Sequence, residues 1–493
     1  MELQFEKQEL AYLAQVLRTV KDQELTQEIR LGESMPDVGR VLAGWGQPVL
    51  RSKEWQGGQV GASGGVMVWV LYEPEDGTDP RVVEGWIPFQ IRADVQSDRE
   101  GLLRILPLVR FVDGRNISAR KILVRAGLSC LVEGLCRQRS QISRAPEELP
   151  EDVHLLRRSY PIRLPREAGE KAFDLEETMK LDGAAEILSS AFRPMGAEGT
   201  VHGDKAAIRG EGRLHLVYRC NEGRIRTVDV AIPFSQLGEL EGSFDSSAQT
   251  DVIMAVTGLE VSLVPEGLAV HASLVAQYMI SDRCMIELTQ DAYSSRREVG
   301  LRQEELMLPA LLDEMRERVT AQSAFPHARE GVDLTFWPGF PKQRREGDRV
   351  ELSVPGRFQL LGRDQEGKLR GWNGQWEENL PLNAHETSRI DAIVQGVDGP
   401  QMLPAGEGTQ ARAQTEVQAA AVSRMGLPMI TSLELGALRE SDECRPSLIL
   451  CRGGGRSLWE LAKGSGSTVD AIRSANGIGD DDQGDRMLLI PVS

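Results

Sequence analysis

The sequence is short of positive charge and of long apolar runs. Its 493 residues include 57 Lys and Arg against 74 Asp and Glu, which gives a formal net charge of −17. Binding to nucleic acid or to anionic lipid needs a basic face, so this balance argues against both functions. No run of about twenty apolar residues is present, which predicts that no segment spans a membrane. The opening MELQFEKQELAYL has no basic stretch followed by an apolar core, and therefore predicts no secretory signal.

Motifs for metals, disulfides and catalysis are also missing. The cysteines form no C-x-x-C pair, which favours reduced thiols in a cytosolic protein; they are Cys130, Cys136, Cys220, Cys284, Cys444 and Cys451. Cys444 and Cys451 are close enough in sequence to pair if the compartment were oxidising. The histidines are scattered without a metal motif, and His215 is predicted to lie on the surface. We therefore expect no metal, no cofactor and no enzyme, with an active site in a cleft between domains as the alternative.

Two segments divide the chain, whose length predicts three or four domains. Residues 146–170 are rich in proline and charge and are predicted to form a linker. Residues 301–325 are predicted to form a helical linker, because their apolar residues have helical spacing and Pro309 stands where a helix would start or kink. Glu314 and Arg316 would then belong to a charged helix face. The predicted domains are residues 1–145, 171–300, 326–440 and 446–493.

The three large segments, called blocks below, repeat one another. The repeated pieces are GVMVWVLY (65–72) and WIPF (86–89), GRLHLVY (212–218) and AIPF (231–234), and GRFQLLG (356–362) and NLPL (379–382). A shift of 146 residues places Tyr72 on Tyr218, and it also places Val41-Leu42 on Ile187-Leu188. One shift that relates two separated segments indicates an internal repeat.

The repeated segments alternate with a period of two. One face is apolar in every copy: Val68, Leu214 and Phe358, then Val70, Leu216 and Leu360. The other face varies: Met67, Arg213 and Arg357, then Trp69, His215 and Gln359. A strand with one buried face gives this pattern, because successive side chains point to opposite sides of a sheet. We predict three β-rich domains with one short helix near the start of each, the third lacking a clear counterpart of that helix.

This pattern resembles the SPOCS domain of spore-coat assembly proteins. The resemblance rests on PDVGRVL, GVMVWVLY, WIPF and DGRNISARKILV in the first block. It weakens through the second block to the third, where Gly362 replaces the aromatic residue. Together the blocks cover most of residues 25–440. The implied fold class is mainly β with some α, with three repeated SPOCS-like domains followed by a smaller domain.

The tail contains three consecutive glycines, residues 453–455, between Arg452 and Arg456. They do not form a nucleotide-binding loop, because leucine stands at position 450 where a Walker motif needs glycine, and too few residues follow for a dinucleotide-binding unit. A small β-α-α-β fold accounts for the pattern better. Its predicted features are a glycine turn, a helix from Ser457 to Gly464, a second helix from Ser467 or Thr468 to Asn476-Gly477, and a closing strand at 486–492.

The tail resembles a LysM domain in GRSLWELA (455–462), in Asn476-Gly477-Ile478, and in the closing spacing of Gly484, Leu488, Ile490 and Pro491. The resemblance implies a binding groove between the two turns, formed by Gly454, Gly455, Arg456, Ser457, Leu458, Asn476, Gly477 and Ile478. LysM domains commonly bind N-acetylglucosamine polymers. Here Arg456 replaces the usual acidic residue, and Asp480, Asp481, Asp482 and Asp485 occupy the second loop, a charge pattern that would suit a protein surface instead. Trp459 is predicted to pack in the core rather than to stack on sugar.

Three SPOCS-like domains followed by a LysM-like domain resemble the order found in spore-coat morphogenetic proteins of endospore-forming bacteria. The resemblance implies a non-enzymatic scaffold in the mother-cell cytosol that gathers on the outer forespore surface. Its implied partners are the ATPase that builds the basement layer, other coat proteins and, as a further ligand, an N-acetylglucosamine-containing glycan. Several weak contacts would together supply the affinity. The alternative is a peptidoglycan-binding protein of the cell wall or of a phage.

Overall fold

The computed structural model describes residues 2–97, 100–346, 349–384, 388–406, 408–423, 426–438, 446–452, 454–478 and 487–492. Within these residues almost every regular element is a β-strand, and two are helices. The predicted class, mainly β with some α, is confirmed at this level. The period-two alternation along the chain accounts for it, because that spacing buries one face of a strand and not of a helix.

The first block forms two antiparallel sheets. Its strands are β1 (Glu2–Gln4), β2 (Glu6–Arg30), β3 (Val38–Gln56), β4 (Gln59–Pro74), β5 (Arg81–Asp94), β6 (Leu102–Ser118) and β7 (Lys121–Arg144). One sheet has the order β3-β4-β5 and the other has the order β2-β7-β6. Val68 and Val70 of β4 are fully buried in one core with Ile122 and Val124 of β7, as the alternation predicted.

The second block contributes most of a large sheet. Its strands are β8 (Val153–Met179), β9 (Ala184–Cys220), β10 (Ile225–Phe244), β11 (Gln249–Val264) and β12 (Gly267–Ser294). They lie in the order β10-β9-β11-β12-β8, and the sheet continues through strands of the third block. Leu214 and Leu216 of β9 are fully buried, again on the face that the sequence predicted.

The third block begins with a strand at residue 310, before the predicted boundary at 326, and it has shorter strands. They follow β13 (Arg297–Met307) and are β14 (Ala310–Phe325), β15 (Glu330–Pro338), β16 (Lys342–Glu346), β17 (Arg349–Arg363), β18 (Leu369–Leu382), β19 (Arg389–Gly396), β20 (Gln401–Ala405), β21 (Gly408–Ser423) and β22 (Gly426–Leu438). β15, β16 and β18 all pair with β17, whereas β14, β19 and β20 pair with β21. Phe358 and Leu360 of β17 are fully buried.

The three blocks use a common order of pairings. In each block the long first strand pairs with a late strand of the same block: β2 with β7, β8 with β12, and β14 with β21. Between them lies an antiparallel hairpin: β4 with β5, β9 with β10, and β17 with β18. Leu71, Val217 and Leu361, which precede the aligned positions Tyr72, Tyr218 and Gly362, belong to one shared buried cluster. The variable face of the repeated strand is therefore where the blocks meet.

A small sheet joins the ends of the blocks. Its central strand is β22, with β1 on one side and β13 on the other. Glu2 is opposite Glu434, and Leu301 is opposite Leu433. The start of the chain is thus held against the last strand of the third block.

The linker prediction for residues 146–170 is wrong from Val153 onward. Those residues belong to β8, which pairs with β12 along its length. Pro165 fits because it lies at a register shift, opposite Ser281, where a bulge relaxes the demand for a donor N–H. Pro165 therefore marks a bulge in a strand rather than a linker, and Pro161 of the same strand lies opposite Met285 in regular register.

The helix predicted within residues 301–325 is also wrong. The segment forms β13 and β14, with Pro309 in the short connection between them. Val319, Ala321 and Phe325 of β14 are buried at even spacing, and pairing with β21 fixes the strand. Glu314 therefore lies on a strand and not on a charged helix face.

The short helices predicted near the block starts are absent from the described residues. Val41 and Leu42 lie in β3, and Ile187 and Leu188 lie in β9. Leu42 and Leu188 are buried together in the cluster that joins the blocks. Burial of alternate side chains against a neighbouring block explains why a strand forms here.

Candidate functional site

The C-terminal segment folds as β23 (Leu448–Arg452), α1 (Leu458–Ser465), α2 (Val469–Asn476) and β24 (Met487–Pro491). We call the described residues from 446 to 492 the terminal module. β23 and β24 pair antiparallel, and the two helices cover one face of this ribbon. The buried core of the module contains Leu461, Ala462, Ile472, Ile478, Leu488 and Ile490. Each helix has eight residues, and nowhere in the described chain is a helix long and apolar enough to cross a membrane.

The first turn of the predicted groove leads from β23 into α1. Gly454 and Gly455 have φ angles of 57° and 77°, a left-handed conformation that glycine adopts without strain. Ser457 caps α1: its Oγ accepts from the Glu460 N–H at 3.2 Å, and its own N–H donates to Glu460 Oε2 at 2.8 Å. The Ser457 N–H and Oγ–H both donate to Glu460 Oε2, and these two hydrogen bonds lower the pKa of Glu460. The helix runs beyond the predicted Gly464 and is capped by Gly466.

The second turn pins α2 to β24. Thr468, one of the two predicted caps, begins the helix, and Gly477 ends it in a left-handed conformation. The Asn476 side chain donates to the Leu489 carbonyl at 2.6 Å and accepts from the Leu489 N–H at 2.8 Å. Ile478 is buried in the module core. These residues therefore act first as structural elements of the module.

The two turns contact different strands of the ribbon. Asn476 of the second turn binds Leu489 of β24. Arg456 of the first turn donates to Cys451 Sγ of β23 at 3.2 Å, and Leu458 is partly buried against the core. Because β23 and β24 are paired, the eight predicted groove residues lie in turns that contact one two-stranded ribbon. Cys444 and the loop with Asp480, Asp481, Asp482, Gly484 and Asp485 lie outside the described residues.

The terminal module is held on the second block through α1. Trp459 Nε1 donates to Asp291 Oδ2 at 2.8 Å, and Lys463 Nζ lies 2.7 Å from Asp291 Oδ1. The Trp459 ring meets Tyr293 edge-on, with centroids 4.7 Å apart and planes at 72°. The Tyr293 hydroxyl donates to the Ser467 carbonyl at 2.8 Å, and burial raises the pKa of Tyr293 to about 12.

Trp459 therefore packs rather than standing free for a sugar, as predicted, although its partners come from another block. Asp291 and Tyr293 were missed by sequence reasoning. They lie 168 and 174 residues from the groups they bind, and no local pattern marks them. Ala292, Tyr293 and Ser294 are all buried at the end of β12, so no period-two pattern singles out Tyr293.

A second candidate site lies where the three blocks meet. A cavity of about 170 Å³ is lined by all three, with Gln47, Leu106, Phe192, His215, Asp229 and Phe336 among its residues. His215 joins Asp229 through Nδ1 at 2.8 Å and Asp333 through Nε2 at 2.7 Å. Trp45 Nε1 donates to Asp333 Oδ2 at 2.8 Å. Asp333 of the third block thus binds one side chain from each of the other two.

This histidine is protonated at neutral pH. Burial by itself disfavours the charged ring, but Asp333 and Asp229 outweigh burial and raise the pKa of His215 to about 10. Both ring protons then face carboxylates, so the ring cannot accept a proton as a general base. The prediction that His215 lies on the surface is wrong, since only 16% of its side chain is exposed. The third block, rather than solvent, covers its face of β9.

A buried ion cluster also joins the blocks. Glu133 of β7 is 2% exposed and lies between Arg18 and Arg104, whose Nη1 is 3.0 Å from Glu133 Oε2. Arg18 reaches Asp391 of the third block at 3.4 Å, and Arg104 reaches the Asp251 carbonyl of the second at 3.5 Å. Burial lowers the pKa of Arg104 to about 10. Charges from the first and third blocks are therefore neutralised together, and the second block adds a main-chain contact.

Metal and thiol chemistry have little support in these contacts. In the described ranges, no three His, Cys, Asp or Glu side chains are grouped to hold a metal ion. The five described cysteines are thiols, and burial raises the pKa of Cys130 to about 12. A thiol held protonated in this way is a poor nucleophile.

No family model, no curated protein and no solved structure matches this chain. The functional assignment therefore depends on the residues of this chain and their contacts.

Proposed function

We propose that the chain is a non-enzymatic scaffold of spore-coat assembly, which works in the mother cell of an endospore-forming bacterium at the outer forespore surface. The observation that carries this proposal is the mounting of the terminal module. Trp459 and Lys463 fix it to Asp291 and Tyr293 of the second block. A binding module held at a defined place on a packed body is what a recruiting scaffold needs.

The body supports a platform role. The same order of strand pairings occurs in each block, and the aligned residues Leu71, Val217 and Leu361 pack together, which favours three SPOCS-like repeats. Buried ionisable groups of the body are held in ion pairs. His215 is held by two carboxylates, and Glu133 is held by two arginines. Groups tied up in this way favour a structural role over catalysis.

The proposed ligand of the LysM-like module is a protein, such as the basement-layer ATPase or another coat protein. The turns at 454–458 and 476–478 contact β23 and β24 of the paired ribbon, and Arg456 makes the first of them cationic. A cation at this turn favours an acidic protein surface over a neutral glycan. The proposed recruitment then depends on Arg456 and not on the fold of the module alone.

The experiment is a fluorescent fusion of the full chain in a sporulating host. We expect a ring around the forespore that weakens in Arg456→Asp and persists in the matched control Arg226→Asp, whose side chain is 53% exposed on β10. Thermal melts of both variants check that they fold. A diffuse or septal signal from the unmodified chain would contradict the proposal.

The cell-wall alternative is tested with purified peptidoglycan. The scaffold proposal expects weak retention of the full chain, unchanged by Arg456→Asp. Strong retention that disappears when residues 446–493 are deleted would instead favour a peptidoglycan-binding protein.

A further inference from the structure

The outer face of the β23–β24 ribbon is apolar and exposed. Leu448, Leu450, Met487 and Leu489 are 51%, 62%, 54% and 37% exposed. Leu450 is directly opposite Leu489, so these side chains form one continuous patch. The inner face of the same ribbon is already covered by the two helices. A patch of this kind on so small a module is unusual unless something covers it.

The two edges of the ribbon differ. The Val492 N–H donates to the Ser447 carbonyl at 3.0 Å, so Ser447, Ile449 and Cys451 are the residues that bond to β24. Antiparallel alternation then directs the N–H and C=O groups of Leu448 and Leu450 to the other edge of β23. In the part of the chain that the structure describes, no hydrogen bond reaches those groups.

The corresponding edge of β24 is closed. There Asn476 donates to and accepts from the backbone of Leu489, as a neighbouring strand would. Pro491 faces the same edge and has no N–H to offer. β23 is therefore the edge to which another strand can add.

The exposed patch indicates what kind of strand fits. Apolar side chains on the added strand would face Leu448 and Leu450. A second copy of this chain is a poorer occupant, because each copy carries a net charge of −17.

We propose that β23 is a strand-addition site for an extended segment of a partner protein with alternating apolar residues. Main-chain hydrogen bonds to Leu448 and Leu450 would supply affinity, and the exposed patch would select the side chains. This surface lies outside the predicted groove. This inference depends on the proposed scaffold function in one respect, namely that the partner is a protein.

The test measures fluorescence anisotropy of a labelled decapeptide titrated with the full chain. The probe alternates valine and threonine and has a glutamate at each end. We expect saturable binding that weakens at least about tenfold when alternate amides of the peptide are N-methylated, because several edge hydrogen bonds are lost. Equal binding of the methylated peptide, or no binding of the probe, would overturn the proposal.

Variants of the chain sharpen the test. Leu450→Thr should weaken binding about fivefold, whereas the control Leu237→Thr, at an exposed leucine of β10, should leave it unchanged. Thermal melts confirm folding.

Sedimentation velocity tests whether a second copy of this chain occupies the edge instead. If the unmodified chain forms a dimer and Leu450→Thr abolishes it, the edge binds a second copy and the proposal is overturned. Peptide binding is measured without spores, so its failure is distinguishable from failure of the scaffold function.

Discussion

The contacts between the blocks and the contacts of the terminal module use different chemistry. The blocks meet through buried charges, such as His215 of the second block bound to Asp333 of the third. The module is held by the Trp459–Tyr293 ring pair, by two hydrogen bonds and by Lys463, which is 42% exposed. A buried charge that loses its partner costs several kcal/mol, whereas an exposed pair contributes about 1 kcal/mol or less. The body should therefore unfold as one unit, while the module can detach without unfolding it.

The largest effect is expected when the buried ion cluster is broken. Glu133→Ala leaves Arg18 and Arg104 facing each other without their carboxylate, and should lower the free energy of unfolding by about 3–5 kcal/mol. Urea denaturation measures it. The control Glu241→Ala breaks an exposed pair with Arg137 and should change stability by less than about 0.5 kcal/mol. Equal effects of the two variants would remove the distinction between buried and exposed pairs.

The next effect concerns His215 and depends on pH. Its pKa of about 10 in the folded chain lies above the unfolded value of about 6.5, so its contribution is complete below pH 6.5 and is lost as the pH rises through 10. His215→Gln should lower the free energy of unfolding by up to about 3 kcal/mol at pH 6 and by progressively less toward pH 10. Denaturation at several pH values measures the difference, with His271→Gln, which is 42% exposed, as the control. If His215→Gln lowers the free energy of unfolding by the same amount from pH 6 to 10, His215 is not held protonated between Asp229 and Asp333.

A smaller effect is expected at the module contact. Asp291→Ala removes the partner of both Trp459 and Lys463, and should weaken docking by about 1–2 kcal/mol. Amide hydrogen exchange near residues 458–465 should become roughly tenfold faster, with β7 of the first block unchanged. Glu287→Ala, at an exposed position of β12, is the matched control. Loss of protection throughout the body would show that the module and the blocks are one cooperative unit.

The smallest effect is expected within the module. Ser457→Ala removes the cap of α1 and should cost about 1 kcal/mol, whereas Ser474→Ala on the exposed side of α2 should cost little. Exchange of the Leu461 and Ala462 amides reports on this helix. If both variants exchange alike, the capping box does not stabilise α1.

Local signals predicted the terminal module well. Caps, glycine turns and the closing strand are encoded within a few residues of where they act, so Ser457, Thr468 and Gly477 could be assigned from the sequence. The buried faces of the repeated strands were predictable for the same reason, because Val68, Leu214 and Phe358 follow a strict period of two.

The remaining features depend on contacts distant in sequence. His215 looked like a surface residue because nothing near it shows that Asp333 covers that face. The helix predicted around Pro309 failed because its apolar spacing fits two periods, and pairing with β21 decides between them. No sequence pattern near Asp291 indicates that it contacts the terminal module.

The sheet formed by β1, β22 and β13 has a consequence for biosynthesis. β1 leaves the ribosome first, yet its partner residues around Glu434 are translated only after more than four hundred others. At about 5–20 residues per second, the N-terminal strand waits roughly 20 to 90 s for its partner. The pairing of β1 with β22 is therefore the last β-pairing of the three blocks to form. A premature stop before residue 426 would leave the unpaired edge of β1 exposed to aggregation.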